Sequence, residues 1–262
     1  MNEGELLFTE TLGCTRTHLY LNGKKPLAKD KALLISSVFR RRLCGEPIDY
    51  ILGRTEFMGL EFRVDKNVLI PRPETEILVE TAINIVHSSK LKVDNILDIG
   101  TGSGCIAISL AKFVENINVT ASDVSDKALE IARNNASLNN VRINFLQSDL
   151  FSNHGLRTAD YGLIISNPPY IPGAQIHELA AEISYEPAIA LDGGEDGLDF
   201  YRRIINEAPA RMRDGGFLIM EMGFNQCENI KKIFSLYPEL EIIEVVRDYS
   251  NIERVIVAKK FK

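Results

Sequence analysis

The chain has 262 residues, 45% of them apolar and 25% charged, which allows one large α/β domain plus a small second one and excludes a disordered or fibrous chain. A net charge of −6 argues against a general nucleic-acid binder, which presents a basic surface. The four cysteines (Cys14, Cys44, Cys105, Cys227) make no C-x-x-C pair and no histidine stands at ligand spacing from them, so no structural zinc or other metal is expected and the thiols suit a reducing, cytoplasmic compartment.

The start, Met1 to Glu10, is acidic and lacks the long apolar core of a signal peptide. The most apolar stretch, Ile96 to Ala111, carries Asp98 and three glycines, too short and too broken to span a bilayer. Leu6, Leu7 and Leu12 suggest a first helix. Asp30 to Leu43 is a stronger one, with Leu33, Leu34, Val38 and Phe39 near helical period and Gly45 and Pro47 to stop it. Its Arg40-Arg41-Arg42 run reads as a solvated helix face, with a local basic patch as the alternative. Phe57 to Ile70 alternates apolar and polar residues (Phe62, Val64, then Val68, Ile70), and Asp65-Lys66-Asn67 can turn between them, which predicts a β-hairpin. Pro71-Arg72-Pro73 punctuates the chain before a helix over Glu74 to His87.

From Asn95 onward strands alternate with helices. Strands are predicted over Asn95 to Ile99, Val119 to Ser122, Ile143 to Gln147, Tyr161 to Ser166, Phe217 to Met222, Glu241 to Val246 and Arg254 to Lys259. Helices are predicted over Cys105 to Phe113, Ser125 to Leu138, Asp199 to Met212 and Gln226 to Ser235. This order specifies an α/β, mostly parallel, doubly wound sheet, and the closing strand-then-strand pair adds one antiparallel edge strand. The organisation is then a small helical domain over residues 1–56, a β-hairpin and linker over 57–72, and an α/β domain over 73–262.

Two places carry chemistry. Ile96 to Gly104 is an apolar strand running into Gly100-Thr101-Gly102-Ser103-Gly104 and then a helix. Glycine lets such a turn take positive φ and lets a ligand lie against the backbone, although a tight strand–helix connection uses the same residues. The spacing is not G-x-G-x-x-G, so the third glycine that serves a pyrophosphate is missing. Asp123 ends the next strand, about 20 positions on, where a carboxylate can accept both hydroxyls of a ribose; capping the following helix is its other reading. The pattern fits a nucleoside without pyrophosphate. Asp149, with Leu150 and Phe151 behind it, could receive an adenine amino group and cover the ring, or form a plain turn.

The second place is Asn167-Pro168-Pro169-Tyr170, closing the fourth strand where an open parallel sheet binds ligands. Two prolines remove two backbone donors. The remaining rim is rich in acceptors, namely the Asn167 side-chain oxygen and the backbone carbonyls, and suits an amino group with two N–H donors. Tyr170 can stack on a planar group. An NH₂ on an amide or a base is a poor nucleophile, so binding both protons and aiming the nitrogen at a sulfonium methyl is a task of positioning.

With these residues the chain resembles the release factor glutamine methyltransferases. The resemblance spans nearly the whole chain: Pro47 to Gly53 with Phe57, Leu69-Ile-Pro-Arg-Pro-Glu-Thr-Glu76, the glycine turn, Asp123, Asn167 to Ile171, Tyr185-Glu-Pro187 and Leu191-Asp-Gly-Gly-Glu-Asp-Gly-Leu198. It implies a seven-stranded Rossmann-like methyltransferase sheet preceded by a small helical domain and a β-hairpin. It implies S-adenosyl-L-methionine as cofactor, held by Gly100 to Gly104, Asp123, Asp149, Leu150 and Asn167. It implies methylation of the glutamine of the Gly-Gly-Gln motif in class I peptide-chain release factors, with Asn167, the Pro168 carbonyl, Pro169, Tyr170 and Arg72 at the substrate and the helical domain docking the release factor. A monomer without membrane or nucleic-acid partners is expected. Family members usually carry a further helix before the segment that here starts at Glu5, so the docking domain reads as shortened, and Asp248 to Arg254 lacks the glycine often found there. The rival readings are an adenine-N6 or guanine-N2 methyltransferase, which must extract its base from a stack and calls for a basic face, a non-catalytic cofactor-binding scaffold, and a nicotinamide oxidoreductase, which fails on glycine spacing.

Overall fold

In the computed structural model, which describes residues 2–23, 25–89, 93–156 and 160–261, the chain begins with helix α1 (Glu3–Leu12). The Asn2 side chain accepts from the Glu5 N–H at 2.8 Å, and Gly13 ends the helix in the left-handed region. Met1 of the acidic start lies outside the described residues. Helix α2 (Arg16–Asn22), capped by Thr15, buries none of its residues, so it has no apolar stripe for periodicity to find. Helix α3 (Lys29–Leu43) forms where predicted, but Leu33 and Leu34 are exposed and only Val38 of its apolar set is buried. The arginine run is not a free basic patch either: Arg41 pairs with Glu46, and Arg42 pairs with Glu3 and with Glu182. Helix α4 (Ile48–Leu52) is too short for a periodic signal and is held by buried Tyr50, whose hydroxyl donates to the Val68 carbonyl at 2.6 Å.

The hairpin lies earlier than the sequence predicts. Strands β1 (Arg54–Phe57) and β2 (Leu60–Arg63) pair antiparallel around Met58-Gly59, both at positive φ (52° and 71°), the geometry of a type I′ turn. Met-Gly is a weak turn signal beside Asp65-Lys66-Asn67, which does turn, with the Asp65 carboxylate accepting from the Asn67 N–H, but leads only into an irregular segment. Val64, Val68 and Ile70 are buried there against Tyr50 and Ala128 instead of pairing as strands.

Helix α5 (Pro73–Ser88) starts with proline in its first turn. It leads to strand β3 (Asn95–Ile99), helix α6 (Cys105–Phe113), strand β4 (Asn118–Asp123), helix α7 (Asp126–Leu138), strand β5 (Asn144–Gln147) and strand β6 (Tyr161–Ser166). Helix α8 (Asp199–Glu207) stops short of the predicted Met212, because Pro209 cannot continue the ladder; a 3₁₀ turn follows and strand β7 (Met212–Glu221) begins five residues before Phe217. Helix α9 (Cys227–Phe234) and strands β8 (Leu240–Arg247) and β9 (Glu253–Lys260) close the chain.

The seven strands lie in the order β5-β4-β3-β6-β7-β9-β8. The first five are parallel, and β9 runs antiparallel to both β7 and the edge strand β8, so the last two strands supply the antiparallel edge of the sheet. Alternate residues serve opposite faces. Ile96, Leu163 and Ile165 pack under α5 and α6, whereas Leu97, Ile99 and Ile164 pack with Tyr201 and Ile204 of α8 and Ile230 of α9. Each such buried aliphatic side chain contributes about 1.5–3 kcal/mol. Strand β6 is buried along its whole length, as expected of a parallel strand covered on both faces. The order in which strands are added reverses between β3 and β6, which run parallel, and a crevice opens outside their carboxyl ends. No described helix is long and apolar enough to cross a membrane.

Candidate active site

Two adjoining cavities occupy that crevice. The larger, about 280 Å³, is lined among others by Gly100, Gly102, Asp123, Asp149, Leu150 and Phe200. The smaller, about 110 Å³, is lined among others by Arg72, Tyr170, Ile183 and Leu191. Leu69, Asn167, Pro168 and Ala190 belong to both and form the wall between them.

The glycine turn divides its labour. A Cβ on Gly100 or Gly102 would meet nothing within 4 Å, so both face open cavity. A Cβ on Gly104 would stand 2.9 Å from the Ile108 side chain and 3.1 Å from the Ala132 methyl, so Gly104 serves the packing of α6 on α7. Thr101 and Ser103 are buried and off the cavity wall: the Thr101 hydroxyl donates to an Asp98 carboxylate oxygen at 2.6 Å, and the Ser103 carbonyl accepts from Asn135 at 2.9 Å. Of the five turn residues assigned to the cofactor, Gly100 and Gly102 reach the cavity.

Asp123 stands on the wall, with one oxygen accepting from the Gly102 N–H and the other from the Ser125 N–H, both at 2.9 Å. The cap of α7 is Ser125, not Asp123. An ionised carboxylate has about four acceptor sites, so Asp123 is oriented by backbone and still has acceptors to offer, while its burial raises its pKa. Asp149 also lines the cavity, exposed and paired with Arg203 at 2.8 Å. Leu150, at positive φ, lines it too, but Phe151 turns into the core beneath the Arg211 guanidinium. The apolar cover comes from Leu150, Val124 and Phe200. Sequence reasoning did not find the last two, because an exposed valine and a helix phenylalanine carry no local signal of a ligand.

Asp98 was read only as a charge interrupting an apolar run. It is fully buried one residue before cavity-lining Ile99, its Oδ1 has no hydrogen-bond partner, and burial pushes its carboxyl up to about 7.

Asn167 follows β6, and its side-chain N–H donates to the Thr75 hydroxyl at 3.1 Å. The Thr75 hydroxyl meets the buried Glu221 carboxylate at 2.7 Å. Neither Thr75 nor Glu221 was singled out from sequence, although a glutamate closing the apolar run Phe217 to Met220 was a visible signal. Tyr170 is held by the Gly193 to Leu198 loop, which lies against its backbone: a Cβ on Gly197 would come within 2.4 Å of the Tyr170 carbonyl, which also accepts from Gln226 at 2.8 Å. That close approach explains Gly193 and Gly197 of the Leu191 to Leu198 motif, whereas Gly194 lies against the Asp199 side chain. Arg72 reaches the smaller cavity while ion-paired to buried Glu186. Pro169 lines the larger one. Among the described residues no cluster of histidine, cysteine or carboxylate side chains could hold a metal.

Comparison with known proteins accords with this geometry. Residues 74–248 match the methyltransferase small domain model, and residues 1–53 match the PrmC N-terminal domain model. A release factor glutamine methyltransferase of Geobacter sulfurreducens is 42% identical over 234 residues, covering 89% of this chain and 80% of that protein. One from Thermodesulfovibrio yellowstonii is 36% identical, covering 100% and 93%. The chain belongs to the release factor glutamine methyltransferase family. Among solved structures, a methyltransferase from Pyrococcus furiosus superposes with a TM-score of 0.59 at 20% identity, covering 87% of this chain and 100% of that one. The ribosomal protein L11 methylase of Lactobacillus delbrueckii subsp. bulgaricus gives 0.56 at 18%, covering 77% and 86%. These two likenesses concern the fold. In this member of the release factor glutamine methyltransferase family, the two cavities meet at Asn167 and Pro168, with Leu69 and Ala190.

Proposed function

We propose that this enzyme transfers the methyl group of S-adenosyl-L-methionine to the side-chain amide nitrogen of the glutamine in the Gly-Gly-Gln motif of class I release factors. The observation that carries the reading is the shared wall: Asn167 and Pro168, with the apolar Leu69 and Ala190 beside them, face a nucleoside-sized chamber on one side and a small chamber on the other, and of these four only Asn167 has a polar side chain.

The larger chamber fits the cofactor by its donor set. Asp123 offers a backbone-oriented carboxylate for ribose hydroxyls, and Leu150, Val124 and Phe200 offer apolar cover for a base. The bound cofactor supplies an electrophilic methyl on a sulfonium, which leaves as a neutral thioether. The protein's own work is to hold the amide. Asn167 Oδ1 and the Pro168 carbonyl accept its two N–H groups, and the stiff Pro168-Pro169 turn offers no competing donor. Tyr170 and the Ile183 side of the smaller chamber keep the amide plane out of bulk water. As the new N–C bond forms, the nitrogen becomes strongly acidic and gives one proton to an acceptor or to water, so no strong base is required.

The helical part before the hairpin docks the release factor, the enzyme acts as a cytoplasmic monomer, and its substrate is protein and not nucleic acid; the acidic net charge supports the last point. The test is a transfer assay with labelled S-adenosylmethionine, a release factor, the same factor with alanine at the target glutamine, and DNA and RNA in parallel. Label mapped to the glutamine and absent from the alanine control is the expected result. Label on nucleic acid alone overturns it.

A further inference from the structure

The segment Leu69 to Glu76 is among the most specific marks in the sequence, yet the mechanism above uses neither its Thr75 nor the Glu221 that Thr75 touches. Thr75 sits in the first turn of α5 and Glu221 is the last residue of β7; both are almost completely buried. Thr75 links them to the reaction site by its hydrogen bond with Asn167.

An asparagine amide has an oxygen and a nitrogen of nearly the same shape, so only its hydrogen-bond partners decide which way it points. A threonine hydroxyl has one proton. An ionised carboxylate only accepts, so the 2.7 Å contact to Glu221 consumes that proton. The Thr75 oxygen can then only accept from Asn167, which fixes the asparagine nitrogen on the Thr75 side at 3.1 Å. Oδ1 is left on the opposite side. We propose that Thr75 and Glu221 are positioning residues that set the polarity of the Asn167 amide, so that its oxygen and not its nitrogen meets the substrate N–H. This inference rests on the proposed role of Asn167 as acceptor for the glutamine amide.

The relay reverses when Glu221 is protonated. The carboxyl then donates to Thr75, Thr75 donates to Asn167, and the flipped amide presents N–H to N–H. Burial pushes Glu221 up to about 7, the free-enzyme range in which that reversal matters. The groups around it are Arg254 from β9, which opposes the rise, Glu74 from α5, which adds to it, and the Thr75 and Asn167 hydrogen bonds, which oppose it. Cys105 from α6, Tyr170 and Tyr201 also feel its charge, and each is itself shifted upward and neutral near pH 7.

The experiment measures methyl transfer to a release factor for the unaltered enzyme, Thr75→Val, Thr75→Ser, Glu221→Gln and Asn167→Ala, with cofactor affinity and melting temperature recorded for each. Thr75→Val should lower kcat about 10- to 100-fold with cofactor affinity within about threefold, and Thr75→Ser should recover most of the loss. The unaltered enzyme should show kcat/KM rising with pH through about 7, a limb absent from Glu221→Gln. A Thr75→Val enzyme within about twofold of unaltered kcat, beside an inactive Asn167→Ala, overturns the polarity relay and leaves the proposed function standing. Loss of cofactor binding and melting temperature together in Thr75→Val, with the acid limb intact in Glu221→Gln, assigns the pair to stability alone and also overturns the relay. An active Asn167→Ala enzyme instead defeats the parent reading.

Discussion

Gly102 and Gly104 belong to one turn, and substituting each with alanine should break different properties. At Gly104, φ is +84°, and the added methyl would stand 2.9 Å from the Ile108 side chain and 3.1 Å from the Ala132 methyl. Left-handed backbone costs a residue with a Cβ about 1–2 kcal/mol, and overpacking adds about 1–3 kcal/mol. Ala132 is buried on α7, and its methyl, 3.1 Å away and bonded directly to the helix backbone, cannot rotate aside. The expected loss for Gly104→Ala is therefore about 2–5 kcal/mol, or a melting temperature lower by roughly 4–15 °C for a chain of this size. At Gly102, φ is +54° and a Cβ would meet nothing within 4 Å, so only the backbone part of that cost applies. Its methyl would instead project into the cofactor chamber, and Gly102→Ala should weaken S-adenosylmethionine binding about tenfold or more while melting within a few degrees of the unaltered protein. Thermal denaturation and titration calorimetry on the pair decide it. A Gly104→Ala protein of unaltered stability that no longer binds cofactor would refute the division of the turn into a packing glycine and a lining one.

Asn167→Ala should lower kcat by about 10²–10³, as removal of an oriented polar group from a reaction site does, and should affect cofactor affinity far less. Asp123→Ala should raise the cofactor Kd by about 10- to 100-fold, since it removes the carboxylate and frees the Gly102 and Ser125 N–H groups that hold the turn. Burial raises Asp98 from 3.8 to about 7, so the folded protein retains a proton that the unfolded chain releases near pH 4. The cofactor-free protein should thus lose stability as pH rises from about 4 to about 7, Glu221 adding in the same direction, and Asp98→Asn should flatten that fall in thermal melts.

The sequence was most legible where chemistry and backbone geometry coincide. Strands β3 and β6 and helix α6 fall on the predicted residues, because a mostly apolar run ending in glycine or Asn-Pro-Pro leaves little choice of boundary. The hairpin was displaced because Asp65-Lys66-Asn67 carries stronger turn chemistry than Met58-Gly59, although the latter is the turn that pairs strands. Helix α8 was overextended because Ala208 to Met212 is apolar enough to continue it and only Pro209 objects. In the site, Asp123 and Asn167 could be found from their positions at strand ends. Thr75 could not be found, because its meaning depends on Glu221, 146 residues away in the chain. Asp98 was seen as a charge, but that its Oδ1 lies buried and unmet required the fold.

The Arg42–Glu182 ion pair gives the molecule a lever arm. The Tyr185 hydroxyl donates to the Cys44 carbonyl at 2.9 Å just beyond that pair, and the same stretch of chain carries Ile183 into the smaller chamber and Glu186 onto Arg72. The wall of the smaller chamber thus has its footing on the end of α3, outside the α/β sheet. Substitutions at Arg42 or Glu182 will behave as alignment defects, degrading turnover on any substrate, small peptides included. Cutting away the helical part would remove a buttress of the reaction chamber along with any surface that greets the release factor.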